Sequence, residues 1–106
     1  AYEYTVIDRE YLAEGLLYDR GQGNLVYQGQ TAELTRSENK ILGLLADNRG
    51  KIVEREQLME YLWSTDEYVT DASLTVLVSR LRAKISAFAP GISCIHTKKG
   101  KGYYLE

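Results

Sequence analysis

Arg80, Arg82 and Lys84 recur at alternate positions of one segment, and Lys98, Lys99 and Lys101 crowd five consecutive positions of another, 98–102. Fixed positive charge at this spacing suits phosphate oxygens. An arginine fork also matches O6 and N7 of a guanine edge, a bidentate contact worth about 1–3 kcal/mol of discrimination. Little else in the chain could do chemistry. Cys94 and His96 share a strand face by parity, the disposition of a nucleophile and its base, yet a packed hairpin strand shows the same parity. A single Cys and a single His supply too few soft ligands for zinc and no intrachain disulfide framework. No paired carboxylates flank a glycine-rich pocket, so hydrolytic and redox enzymes are poorly served, and no catalytic residue, metal or cofactor is expected. Gly21-x-Gly23 lacks the third glycine and following helix of a dinucleotide fingerprint and is a turn.

The net charge of −2 would argue against a polyanionic partner, but it conceals a split: residues 1–71 hold 7 basic against 14 acidic residues, and residues 72–106 hold 6 against 1. A basic face on an acidic body can orient a molecule on a polyanion. With 106 residues, 44% of them hydrophobic and a single Pro, the chain is expected to fold as one domain with its own core. No apolar run approaches the roughly 20 residues needed to span a bilayer, and the start lacks a basic region and an apolar signal stretch, so a cytoplasmic protein with no membrane contact is expected. The opening at Ala1 without a Met leads us to expect a piece of a longer chain with an N-terminal partner domain.

Four segments must position the cations. Residues 2–35 are Tyr-rich and β-branched, broken at Gly15, at residues 21–24 and at residues 28–30, which predicts three or four short antiparallel strands. Thr35-Arg36-Ser37-Glu38 is a capping box worth about 1 kcal/mol, and it opens a helix with Ile41, Leu44, Leu45 and Asn48 at helical spacing and a stop at Asn48-Arg49-Gly50. A short strand over 51–53 precedes a second helix over 54–63, for which Glu54 is a weak cap. A polar, acidic loop over 64–70 leads to a third helix over 71–88, ended by Ala89-Pro90-Gly91. Strands over 93–97 and 103–105 flank the lysine-bearing turn as a hairpin.

On the third helix Leu74, Leu77, Val78, Leu81, Ile85 and Phe88 fall within an arc of about 100°, the width of a core stripe. The opposite side carries Ala72, Val76, Ser79 and Ala83, with Arg80 and Arg82 on its margins. Small residues let a helix approach a groove floor, and arginines at both edges reach phosphates or bases. The glycines of the turn keep its tip slim enough to enter or straddle a minor groove. Helix and hairpin together make a winged-helix arrangement. The same small-residue face would also serve a winged-helix module that docks on protein, although such modules usually lose the basic wing.

The ordered set LT-x-x-E, Gly50, Arg55-Glu56-x-Leu58, Trp63, Arg80-Leu81-Arg82-x-Lys84 and Gly100-x-Gly102-Tyr103 strongly resembles the OmpR/PhoB-type winged-helix effector domain of bacterial response regulators, over residues 34–105. The run YVTDASLTVLVSRLR is most similar to regulators of cell-envelope and antimicrobial-peptide resistance in Gram-positive bacteria. The resemblance implies an α+β fold: a winged helix-turn-helix with an N-terminal antiparallel four-stranded sheet over 1–35, a three-helix core over 36–88 and a C-terminal β-hairpin wing over 93–105.

It also implies sequence-specific binding of double-stranded DNA, with helix 71–88 in the major groove and the wing over 97–102 on backbone or minor groove. Thr75, Val76, Ser79, Arg80 and Arg82 would face bases or phosphates, Lys84 a phosphate, and Thr97, Lys98, Lys99 and Lys101 the backbone beside the wing. Arg55 and the Trp63 indole match phosphate anchors, and Trp63 equally suits a place in the core. Asp66, Glu67 and Tyr68 match the loop that meets RNA polymerase in family activators. The family arrangement adds a receiver domain answering to a sensor kinase, a monomeric isolated domain, and two copies on tandem half-sites about one helical turn apart. Three positions depart from the family pattern: Asn39 stands for an aromatic, Glu54 for a capping Ser or Thr, and Leu77 for His or Asn. Leu77 either touches a thymine methyl or turns inward.

Overall fold

The computed structural model describes residues 9–106; the expected strand content of residues 2–8 lies outside the described residues. Four short strands, β1 (Arg9–Ala13), β2 (Leu16–Asp19), β3 (Asn24–Tyr27) and β4 (Gln30–Glu33), form an antiparallel meander in sequential order. Alternation places Leu16, Tyr18 and Leu25 on the buried side. The meander is fastened to the first helix, α1 (Arg36–Asp47), through polar contacts. The Tyr18 hydroxyl donates to Asn39 Oδ1 at 2.5 Å and Asn39 Nδ2 donates to the Arg20 carbonyl at 3.2 Å. Asn39 thus joins β2 and α1 through its amide. Burial pushes the Tyr18 hydroxyl up to about 12, so it remains a donor at every physiological pH.

The capping box read at Thr35 is present: Glu38 N–H donates to Thr35 Oγ1 at 3.2 Å and Thr35 N–H to Glu38 Oε1 at 2.8 Å. After α1, β5 (Val53–Glu54) leads directly into α2 (Arg55–Ser64), and α3 runs over Asp71–Phe88. The start of α3 carries a second such box, with Ser73 N–H on Thr70 Oγ1 at 3.1 Å and Thr70 N–H on Ser73 Oγ at 2.7 Å. Leu74, Val78, Leu81 and Ile85 of α3 meet Ile41 and Leu45 of α1 and Leu58 and Leu62 of α2 in one core.

The chain closes with β6 (Ile95–Lys98) and β7 (Gly102–Leu105). β5 adds to β7, so the hairpin is part of a three-stranded sheet ordered β5-β7-β6. Sequence periodicity cannot reveal that addition, because the pairing joins Val53 to Tyr103 across the chain.

Glu38 is the buried end of an ion pair that also fixes α3, with Lys84 Nζ 2.6 Å from its Oε1 and 3.0 Å from the Glu33 carbonyl. Burial alone would raise this carboxyl, but the Lys84 hydrogen bond and charge, with the Thr35 N–H, outweigh it and hold Glu38 below its ordinary 4.5. A carboxyl depressed on folding contributes stability in full above its unfolded value and loses it as pH falls through the lower folded value. Thermal unfolding followed from pH 7 to pH 2 should therefore show an acid decline beginning below about pH 4.5. Glu38→Gln should flatten that decline, and an unchanged acid limb in this variant would assign it to other carboxyls.

Candidate nucleic-acid interface

The exposed side of α3 carries Ala72, Thr75, Val76, Ser79, Arg80 and Ala83. Arg80 makes no hydrogen bond or ion pair with the described residues, and its full fork of N–H donors faces outward. Leu77 is half-buried and packs against the core, which settles its direction: inward. Lys98, Lys99 and Lys101 are exposed at the wing turn, where Lys101 N–H donates to the Lys98 carbonyl at 2.9 Å. Gly100 at φ +77 supplies the left-handed residue the turn requires.

Helix and wing are joined through Tyr103, a buried residue of β7. Arg82 leans from α3 onto β6: its Nε donates to the Ile95 carbonyl at 3.1 Å and its Nη2 to Thr97 Oγ1. Arg55, at the start of α2, donates to Asp71 Oδ1 at 3.0 Å, the Asp71 carbonyl at 2.7 Å, Thr75 Oγ1 at 2.8 Å and the Tyr103 hydroxyl at 2.6 Å. Both guanidinium groups lie within 6 Å of the Tyr103 ring centroid, a cation–π distance. The Arg55 backbone N–H adds a bond to the Lys101 carbonyl at 3.1 Å. The Asp71 hydrogen bond raises the Arg55 guanidinium further above its already high ordinary value, so this junction is charged at all working pH.

The structure therefore divides the cations that the sequence places together. Arg80 and the three lysines are outward and free of partners among the described residues. Arg82 and Thr97 are bound to each other, and Arg55 has four of its five N–H groups engaged within the fold. Lys84 turns to the other edge of α3, where its ammonium donates to Glu38 Oε1 and to the Glu33 carbonyl and so braces the fold. The Trp63 indole N–H donates to the Val69 carbonyl at 2.8 Å, and the side chain is 46% exposed. Trp63 thus braces the loop before α3 and is neither a core residue nor an anchor with a free N–H. In that loop Asp66 and Tyr68 are exposed, whereas Glu67 is held on α1 by Ser37 at 2.6 Å.

Two residues of this junction were not singled out as site residues. Tyr103 was visible only as part of a motif, and Asp71 only as the first residue of a helix; neither a tyrosine nor a first-turn carboxylate signals a distant arginine partner. Cys94 is buried just before β6, and burial raises its thiol, the opposite of what a nucleophile needs. Among the described residues no helix is long and apolar enough to cross a membrane.

Residues 29–105 match the family of C-terminal domains described as "Transcriptional regulatory protein, C terminal". The chain belongs to this family. It is an OmpR/PhoB-type output domain, of a family of transcription regulators and not of enzymes. It is 40% identical over 92 residues to the sensory transduction protein BceR of Bacillus subtilis, covering 87% of this chain and 39% of that protein. Identity to the response regulator protein GraR of Staphylococcus aureus is 35% over 103 residues, 96% of this chain and 46% of the relative. The chain thus spans less than half the length of these curated relatives. A solved C-terminal domain of the nisin resistance regulator NsrR, a lantibiotic response regulator, superposes with a TM-score of 0.74 at 36% identity, over 91% of this chain and 96% of that one. The OmpR/PhoB-type domain has the four-stranded sheet, three helices and C-terminal hairpin that the sequence resemblance implies.

Proposed function

We propose that this output domain binds double-stranded DNA with sequence preference, α3 entering the major groove while the wing turn rests on backbone or minor groove. The observation that carries the reading is the junction at Tyr103: Arg82 and Arg55 tie helix and wing together, with Arg80 exposed on the helix and Lys98, Lys99 and Lys101 exposed on the wing. A duplex approached by such a unit meets base edges and phosphates at once. Residues 1–106 act as one domain in this reading. A protein-docking use of the same α3 face leaves three exposed lysines of the wing without a purpose.

Within a longer response regulator, phosphorylation of a receiver domain by a sensor kinase would bring two copies onto tandem half-sites about one helical turn apart. The protein works in the cytoplasm in this reading, and its likeness to the nisin resistance regulator NsrR supports a role in resistance to antimicrobial peptides. Asp66 and Tyr68, with the exposed edge of Trp63, form the surface offered to RNA polymerase, and Glu67 holds that loop against α1.

Affinity for a duplex should fall linearly on a log–log plot against salt, with a slope of about −0.9 for every phosphate neutralised. Lys99→Ala should weaken binding to every sequence alike and make the slope shallower by about 0.9. Titrations at several salt concentrations test this, and a flat salt response would remove DNA as the ligand.

A further inference from the structure

The outward face of α3 offers a duplex few free hydrogen-bonding groups. Thr75 Oγ1 accepts from Arg55 at 2.8 Å and donates to the Asp71 carbonyl at 3.4 Å, which commits its one donor and leaves a single acceptor lone pair and its methyl. Arg82 has committed its Nε edge to the wing. Ser79 has no hydrogen-bond partner among the described residues, but a hydroxyl bonds donors and acceptors alike and discriminates weakly. What remains is Val76, 44% exposed, one helical turn after Ala72 and one before Arg80. In the major groove a branched apolar side chain has one chemically matched partner on a base edge, the 5-methyl group of thymine. Arg80, with its fork intact, matches O6 and N7 of guanine.

We infer that α3 selects its operator by thymine methyl groups meeting Val76 and a single guanine meeting Arg80, so that each half-site is a thymine-rich element around one guanine. This rests on the DNA-binding reading above. With no Asn or Gln on this face, α3 has no bidentate amide contact to the N6 and N7 of adenine.

Duplexes retained by the chain from a random pool at low salt would supply the probe. In the selected duplex each thymine is replaced in turn by deoxyuridine, which deletes only the methyl group, and the guanine by 7-deazaguanine, which deletes only the N7 acceptor. We expect a roughly fourfold loss at the contacted thymine, disappearing in Val76→Ala. The 7-deazaguanine loss should be about fivefold or more and disappear in Arg80→Ala. Both side chains are exposed, and unchanged thermal unfolding of the variants would show that folding is not the cause. A selected site rich in G and C overturns the inference, as does retention without sequence enrichment, or a thymine-rich site indifferent to deoxyuridine, which would indicate groove shape as the feature read. In these three outcomes DNA binding stands. If no duplex is retained, the DNA-binding reading falls and takes this inference with it.

Discussion

Gly102→Ala should cause the largest loss of stability of any single methyl addition to the wing. Gly102 lies in β7 with Glu54 of β5 on one side and Lys98 of β6 on the other. A Cβ at this position would sit 2.0 Å from the Val53 carbonyl oxygen and 2.8 Å from its carbon, both backbone atoms that cannot rotate aside. Relief requires β5 and β7 to separate, which also pulls at the Arg55 N–H bond to the Lys101 carbonyl. Inserting a methyl into tightly packed surroundings costs about 1–3 kcal/mol, and a rigid backbone wall places this site at the upper end. For a domain of this size that is a fall of roughly 10–20 °C in Tm. Gly100→Ala is the comparison: its φ of +77 disfavours a side chain, by about 1 kcal/mol, but none of the described residues lies within 4 Å of the added carbon. Thermal unfolding of both variants separates the two causes. Equal losses would mean that turn conformation, and not the approach of β5, governs the wing.

The same strand shows what sequence could and could not disclose. The bounds of α3, residues 71–88, followed from a single apolar arc and the Pro90-Gly91 stop, because both are local properties of the chain. The Thr35 box was equally legible, since its partners are three residues apart. β5 as the third strand of the wing sheet was not, for two residues carry no period and their partner lies about fifty positions on. Charge was legible and its use was not. Arg80, Arg82 and Lys84 look alike in the sequence, and only the fold brings Glu38 to Lys84 across 46 positions and Thr97 to Arg82 across 15. A resemblance to a family transfers positions, but a guanidinium already bonded within the fold is no longer a full donor to a base.

That division makes Arg80→Ala and Arg82→Ala opposite experiments. Arg80 touches none of the described polar groups, so its truncation should leave Tm nearly unchanged, within the ±0.5 kcal/mol or so usual for exposed sites. It should weaken the preferred duplex by about 1–3 kcal/mol and a scrambled duplex far less. Arg82 holds the Ile95 carbonyl and Thr97 and lies 5.7 Å from the Tyr103 ring centroid, so its truncation frees β6 from α3. Charged hydrogen bonds of this kind contribute about 1.5–3 kcal/mol, and Arg82→Ala should lower Tm by roughly 6–20 °C. Its effect on binding should be nearly the same for preferred and scrambled duplexes, because a loosened wing loses phosphate contacts and leaves the base-facing side chains in place. Unfolding curves and paired titrations on the two duplexes decide the matter. If Arg82→Ala kept its Tm and lost only the preferred duplex, the guanidinium would be a base reader, and the rigid union of helix and wing would have to rest on Arg55 alone.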